Sequence, residues 1–220
     1  MLRDLLDSVT YIRDHQEQFF RLLNQHVQLT IFAVLLGILI AVPLAVIASR
    51  VEILAKPLTW LAALGQTIPS LAILALTIPY LGIGFRPSLF ALTLRAILPI
   101  FLNAYIGIRY ADRAVIDAAR GMGTSNAQML LMVELPLASP VLFAGIQTAT
   151  VQTIGLATLA AYIGGGGLGD LILQGLAMLD TEVLLAGAIP VALLALIAEF
   201  LLSRLRGFVV PEGLRIDAGR

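Results

Sequence analysis

The chain has 220 residues, 59% of them hydrophobic and 13% charged, with a mean hydropathy of +0.95 and a formal net charge of zero. Soluble domains carry about 25% charged residues, so the composition excludes an ordinary soluble domain and predicts one integral membrane domain. Neutrality gives no reason to expect a nucleic acid or other polyanion as partner, and the lack of cysteine rules out disulfides and thiolate metal sites.

The first 25 residues are polar and charged and contain no apolar signal core, so no cleavable leader is expected. Leu2, Leu5, Leu6, Val9 and Ile12 recur at helical spacing, which predicts an amphipathic helix on the membrane surface. His15 and His26 are the only histidines and form no metal or catalytic cluster. No formal charge occurs between Arg21 and Arg50. A bilayer crossing needs about 20 apolar residues, so the first span is predicted at residues 27–49, with Pro43 placed to bend it.

The next uncharged run, between Lys56 and Arg86, contains Gln66, Thr67, Pro69, Ser70 and Pro79. It reads as one span broken near residues 66–70. Such breaks are tolerated where the freed backbone groups face protein or a watery cavity, and a simple proline kink fits the same residues. The third span is predicted at residues 88–109 and contains Arg95, Pro99 and Asn103. Arg95 either snorkels to the outer surface or lines a polar path.

Asp117 to Pro136 is the one long polar-containing stretch between two strongly apolar halves. Residues 114–121 suit a short helix, and Gly121 and Gly123 can supply the positive backbone angle that ends it. Ser125, followed three residues later by Gln128, has the form of a capping box. Met129, Leu130, Met132 and Val133 give the helix it starts an apolar face. Pro136 stands where the next segment begins and its missing N–H costs little. The expectation is helix, glycine turn, helix: a knob outside the membrane.

The fourth span is predicted at residues 137–163. Its Gln147, Thr148, Thr150, Gln152, Thr153 and Thr158 suit a cavity or a partner better than lipid, and its small residues permit close helix packing. A glycine run, Gly164 to Gly169, follows without the Lys-Ser/Thr pair of a phosphate-binding loop. A short helix is predicted at residues 171–178, and the fifth span at 182–204 with Pro190 and Glu199 inside it. The domain reading is a surface segment at 1–25, a transmembrane domain at 26–206 whose cytoplasmic loop is 111–136, and a tail at 207–220.

Five spans put the two ends of the chain on opposite sides. Arg50, Lys56, Arg109, Arg113, Arg120, Arg204, Arg206, Arg215 and Arg220 fall on one side, against Arg3, Arg13, Arg21 and Arg86 on the other. Positive charge favours the cytoplasm. The expectation is therefore an external N-terminus, a cytoplasmic C-terminus and a cytoplasmic knob.

Asp117-Ala118-Ala119, three residues, Gly123, nine residues, Val133, one residue, Leu135-Pro136 resembles the EAA loop of bacterial ABC importer permeases. Asp117 stands where Glu is usual and Val133 where Ile is usual. The run Tyr162 to Asp170 resembles the Tyr-Ile-Gly-x-Gly-Gly-Leu-Gly-Asp run of permeases for osmoprotectants, the glycine betaine, carnitine and choline group, and Gln66-Thr-Ile-Pro-Ser70 looks similar too. The resemblance covers residues 28–206. It implies an all-α, five-span bundle of the type I importer fold, methionine-permease-like, with a cytoplasmic coupling helix pair.

On this resemblance the chain is not an enzyme. It pairs with a second permease copy or a related permease in the lipid bilayer of the bacterial cytoplasmic membrane. It docks two ATP-binding subunits through Asp117, Ala118, Ala119, Gly123, Val133, Leu135 and Pro136, and ATP and Mg belong to those subunits, with no cofactor on this chain. A separate external solute-binding protein is expected, because the chain ends at Arg220 without room for one. The low aromatic content, 7% with the single Trp60, puts tight cation–π recognition on that protein. Gln66, Thr67, Ser70 and Asn103 are expected to line the translocation path, although packing between helices would satisfy them equally. An amino-acid permease of the same fold, such as one for methionine, and a channel or assembly protein without an ATPase remain alternatives.

Overall fold

A computed structural model of the chain describes residues 2–210, so residues 211–220 of the expected tail, with Arg215 and Arg220, lie outside the described residues. Every regular element among the described residues is helical. Helix α1 (Leu2–Asp14) leads into α2 (Gln16–Arg50), followed by α3 (Glu52–Thr67), α4 (Ser70–Leu81) and α5 (Phe85–Arg109). Then come α6 (Arg113–Gly121), the short α7 (Asn126–Gln128), α8 (Leu135–Ala157), α9 (Gly169–Met178) and α10 (Thr181–Val209). Four continuous helical stretches, Gln16–Arg50, Phe85–Arg109, Asn126–Ile163 and Thr181–Val209, are long and apolar enough to cross a membrane, and a fifth crossing results if α3 and α4 are counted as one.

Helix α5 is the centre of the bundle. Its Ala96, Ile100 and Ala104 are almost fully buried beside a stripe of small residues on α2, Ala41, Ala45 and Ala48, in one core cluster. Gly37 lets the two backbones close further: a Cβ there would stand 3.0 Å from Cβ of Ala96. Against α8 the same device recurs at Gly107 facing Ala138 and at Gly145 facing Asn103. Lipid gives apolar side chains no hydrophobic incentive to associate, so close backbone approach and dispersion hold such helices together.

The second apolar run is broken as its Pro69 suggests. Helices α3 and α4 meet at 101° across Ile68 and Pro69. Glu52 at the start of α3 lies 4.0 Å from Arg109 at the end of α5. Gly84, just past α4, donates its N–H to Ile163 O beside the start of α5. The bent pair thus joins the two ends of a helix about 37 Å long.

The starts of the first and fourth spans differ most from expectation. Helix α2 begins at Gln16, not at residue 27, because nothing in the polar stretch before the span breaks a helix. Residues 126–163 form one continuous helical rod, so the second half of the knob is the start of the fourth span and not a separate short helix. A π-helical turn at Met129–Glu134 joins the two halves. It sits just before Pro136, whose missing N–H cannot continue an α-helical ladder. The span then tightens into a 3₁₀ turn at Thr158–Ile163.

Candidate functional site

The knob is built from local signals. Asp112 caps α6, its Oδ1 accepting from Ala114 N at 2.9 Å. Gly123 ends the first half with φ +83°, while Gly121 is helical and does not take the left-handed angle. The Ser125–Gln128 capping box forms with both bonds: Gln128 N donates to Ser125 Oγ at 3.4 Å, and Ser125 N donates to Gln128 Oε1 at 3.0 Å. Thr124 folds back and donates its hydroxyl to Ala119 O. Ala119 is therefore buried, whereas Asp117, Ala118 and Gly123 are exposed and available to a partner, and Val133, Leu135 and Pro136 are half-buried at the base. Met122, Leu131 and Met132 add exposed apolar surface.

Behind the knob lies a polar basin of about 350 Å³ bordered by Arg50, Arg109, Arg113, Arg120, Asp117 and Glu134. Its floor is an ion pair. Arg50 Nη1 donates to Glu134 Oε1 at 2.9 Å and Nη2 donates to Oε2, while the Glu134 side chain is only 5% exposed. Glu134 belongs to the π-helical turn, so this fork ties the knob's root to the end of α2.

The four residues expected in the translocation path are not brought to one point. Gln66 and Thr67 are exposed and Ser70 half-buried around the break, with the Thr67 hydroxyl donating to Leu64 O at 2.8 Å. Asn103 lies farther along α5. It donates to Pro99 O at 2.8 Å and packs on Gly145 of α8. Gln147 reaches the other way and donates to Glu199 of α10. An apolar groove of about 650 Å³ between the bent pair and α5 is lined by Gly65, Ile68 and Leu98 but by none of these polar residues.

Arg95 does not snorkel. Its Nη1 donates to the carbonyls of Gly65 at 3.1 Å, Gln66 at 3.3 Å and Ile68 at 3.4 Å. These are carbonyls at the C-terminal end of α3, which has no following turn to satisfy them. A cation there also suits the negative end of the helix dipole. Composition flagged Arg95, but only the fold reveals which carbonyls it caps.

The glycine run folds over α2 at Gln25 and His26. Gly164, Gly166 and Gly167 take φ of +71°, +76° and +92°. Gly167 N donates to Gln25 Oε1 at 3.2 Å, and a Cβ on Gly166 would stand 2.4 Å from that oxygen. His26, fully buried, donates from Nε2 to Ile154 O at 3.0 Å. Thr158 N, which an α-helix would aim at Ile154 O, turns to Gly155 O instead. Asp170 closes the run; burial pushes its carboxyl above the usual carboxylate range, opposed by the nearby charge of Arg21. No His, Asp or Glu grouping among the described residues could hold a metal ion.

Residues 33–211 match the family model described as binding-protein-dependent transport system inner membrane component. The choline transport system permease protein OpuBB of Bacillus subtilis is 42% identical over 191 residues, covering 87% of this chain and 88% of that protein. The carnitine transport permease protein OpuCB of Listeria monocytogenes is 42% identical over 207 residues, covering 94% and 95%. The inward-facing structure of the MetNI methionine ABC transporter shares the fold, with a TM-score of 0.82 at 20% identity over 90% of this chain and 99% of the matched chain. The helical bundle with a helix-turn-helix loop between α5 and α8 therefore belongs to the family of binding-protein-dependent transport system inner membrane components.

Proposed function

We propose that the chain is the permease subunit of an ATP-driven importer for a quaternary-ammonium osmoprotectant such as glycine betaine, carnitine or choline. The observation that carries this reading is the 42% identity to choline and carnitine permeases over nearly the whole chain. In this reading the bent pair completes a fifth crossing, the N-terminus is outside, and the knob faces the cytoplasm. Two ATP-binding subunits dock there, each on one knob of a permease pair. An external solute-binding protein delivers the solute. ATP and Mg are bound by the partner subunits.

The geometry supports a lever. Closure of the ATP-binding subunits would push on the exposed Asp117, Ala118 and Gly123 surface. Residues 126–163 are one rod, so displacement of the knob passes directly into the fourth span. The Arg50–Glu134 fork passes it to α2 as well. Gln66, Thr67 and Ser70 at the break would line the solute path, with Asn103 steadying the α5–α8 contact beside it. Amide and hydroxyl groups suit transient contact with a quaternary ammonium ion, because a strong counter-charge would slow release.

Reconstitution tests the reading. The permease, co-purified with its ATP-binding subunits, should accumulate labelled glycine betaine, carnitine or choline in proteoliposomes when binding protein is outside and ATP inside. Accumulation of methionine instead would overturn the solute assignment and keep the machine. Purification of the permease without any ATP-binding subunit would overturn both.

A further inference from the structure

Arg95 is the one charged residue in the interior of α5. It lies ten residues past Phe85, or roughly 15 Å along a helix of about 37 Å, and is therefore near the middle of the span. It is half-buried. Its bonds to the break are all made by Nη1. Guanidinium has five N–H donors, so Nε and Nη2 keep three, and none of these meets an acceptor among the described residues. Carbonyls carry no formal charge, and the ion pairs among the described residues use other arginines. A positive charge at this depth without a counter-ion is costly.

A polar strip lies level with Arg95. Gly107 meets Ala138 and Gly145 meets Asn103, which fixes the antiparallel register of α5 and α8. Carried two turns outward, that register puts Gln152 level with Arg95. Gln152 and Thr148 on α8 are exposed, as are Gln66 and Thr67 at the break. Polar groups exposed at membrane depth on one chain require water or a second permease to cover them.

We propose that Arg95 is a solute-binding residue that takes the carboxylate of a zwitterionic solute as it passes the break in the second span. Nη1 holds the break in place, and Nε with Nη2 forms the fork that accepts a carboxylate. The favoured class is a quaternary ammonium carrying a carboxylate, such as glycine betaine or carnitine. Choline, a cation without a carboxylate, gains nothing from the fork and is repelled by it. This inference rests on the permease reading and deepens it by naming which solutes the chain favours.

The test uses the complete importer in proteoliposomes with Arg95→Gln and Arg95→Lys. Both side chains can donate to the carbonyls of the break, but only Lys keeps the charge. Arg95→Gln should lower glycine betaine or carnitine uptake about tenfold or more, the worth of a charge-assisted hydrogen bond. Arg95→Lys should recover part of it, and choline uptake should hold or rise. Loss of both solute kinds by the same factor, with assembly and ATPase activity intact, overturns the proposal and leaves Arg95 as a pin for the break. So does equal glycine betaine uptake by the Gln and Lys variants, which is the deciding comparison where wild-type choline uptake is too low to measure. If the wild type carries methionine instead, the osmoprotectant assignment fails, while methionine against methioninol tests the carboxylate contact in the same way.

Discussion

Arg50 at the last turn of α2 closes a two-nitrogen fork on the buried carboxylate of Glu134 at the root of the knob. The pair joins the first span to the element expected to receive force. Breaking a buried ion pair costs about 3–5 kcal/mol, and the cost here is smaller, about 1–3 kcal/mol, because the Arg50 side chain is 45% exposed. Arg50→Met is expected to leave ATPase activity measurable while uptake per ATP falls several-fold. The exchange Arg50→Glu with Glu134→Arg should restore part of it. Unchanged coupling in the single variant would show that force bypasses α2.

Gly123 turns the knob at φ +83°, and nothing lies within 4 Å of where its Cβ would stand. Any cost of substitution is therefore a backbone cost, about 1–2 kcal/mol for a residue forced left-handed. Asn tolerates that region better than a β-branched residue. Gly123→Val should insert normally yet lose several-fold in uptake, and Gly123→Asn should stay near wild type. If Asn harms uptake as much as Val, the harm comes from a side chain meeting the ATP-binding subunit.

Two other glycines separate packing from propensity. A Cβ on Gly175 of α9 would stand 2.4 Å from the backbone N of Leu184 on α10, whereas a Cβ on Gly155 of α8 meets nothing within 4 Å. Gly175→Ala should force the α9–α10 hairpin apart and lower the thermal midpoint of the detergent-solubilised protein markedly. Gly155→Ala should raise stability slightly, by about 0.5–1 kcal/mol, through helix propensity. Matching effects in the two variants would contradict the close packing of the hairpin.

The features legible in the sequence were those whose physics is local. The capping box at Ser125 and Gln128, the turn at Gly123 and the break at Pro69 each depend on a few neighbouring residues, and each stands in the fold. Charge-free runs gave the spans, but their ends drifted, because an apolar-length rule cannot see that polar residues 16–26 continue the helix of the first span. Pairings across the bundle were out of reach. Arg50 and Glu134 are 84 residues apart and Gln147 and Glu199 are 52 apart, and no periodicity links them. Gln66 and Asn103 are both amides at membrane depth, and only the fold shows that Asn103 donates to Pro99 O and packs on Gly145.

The polar strip beside the break predicts a pattern of access. Single cysteines at Gln66, Thr67 and Gln152 should react with small polar thiol reagents in a manner that changes with ATP, because these positions are exposed and polar. Leu98 is buried against Gly65, and a cysteine there should stay protected. Protection at all four positions throughout the transport cycle would make the strip a packed interface between permease copies and not a path.

Sidedness is best probed at the exposed ends of the bundle. Ser8 is only 2% exposed and would make a poor reporter of the N-terminal side. Leu179, 91% exposed with φ +55°, stands at the tip where α9 turns into α10. Met122, 81% exposed, stands on the knob. The two lie at opposite ends of the bundle: the knob adjoins the end of α5 and the root of α8, while the tip follows the far end of α8 and the glycine run. Intact cells expressing Leu179→Cys, and lacking the binding protein that would shield it, should be labelled by a maleimide that cannot cross the membrane. Met122→Cys, made without its ATP-binding subunits, should be labelled only after permeabilisation. The chain has no cysteine of its own, so label on the purified chain reports the introduced position alone. Labelling of Met122→Cys from outside would invert the topology and, with it, remove the knob from any cytoplasmic ATPase.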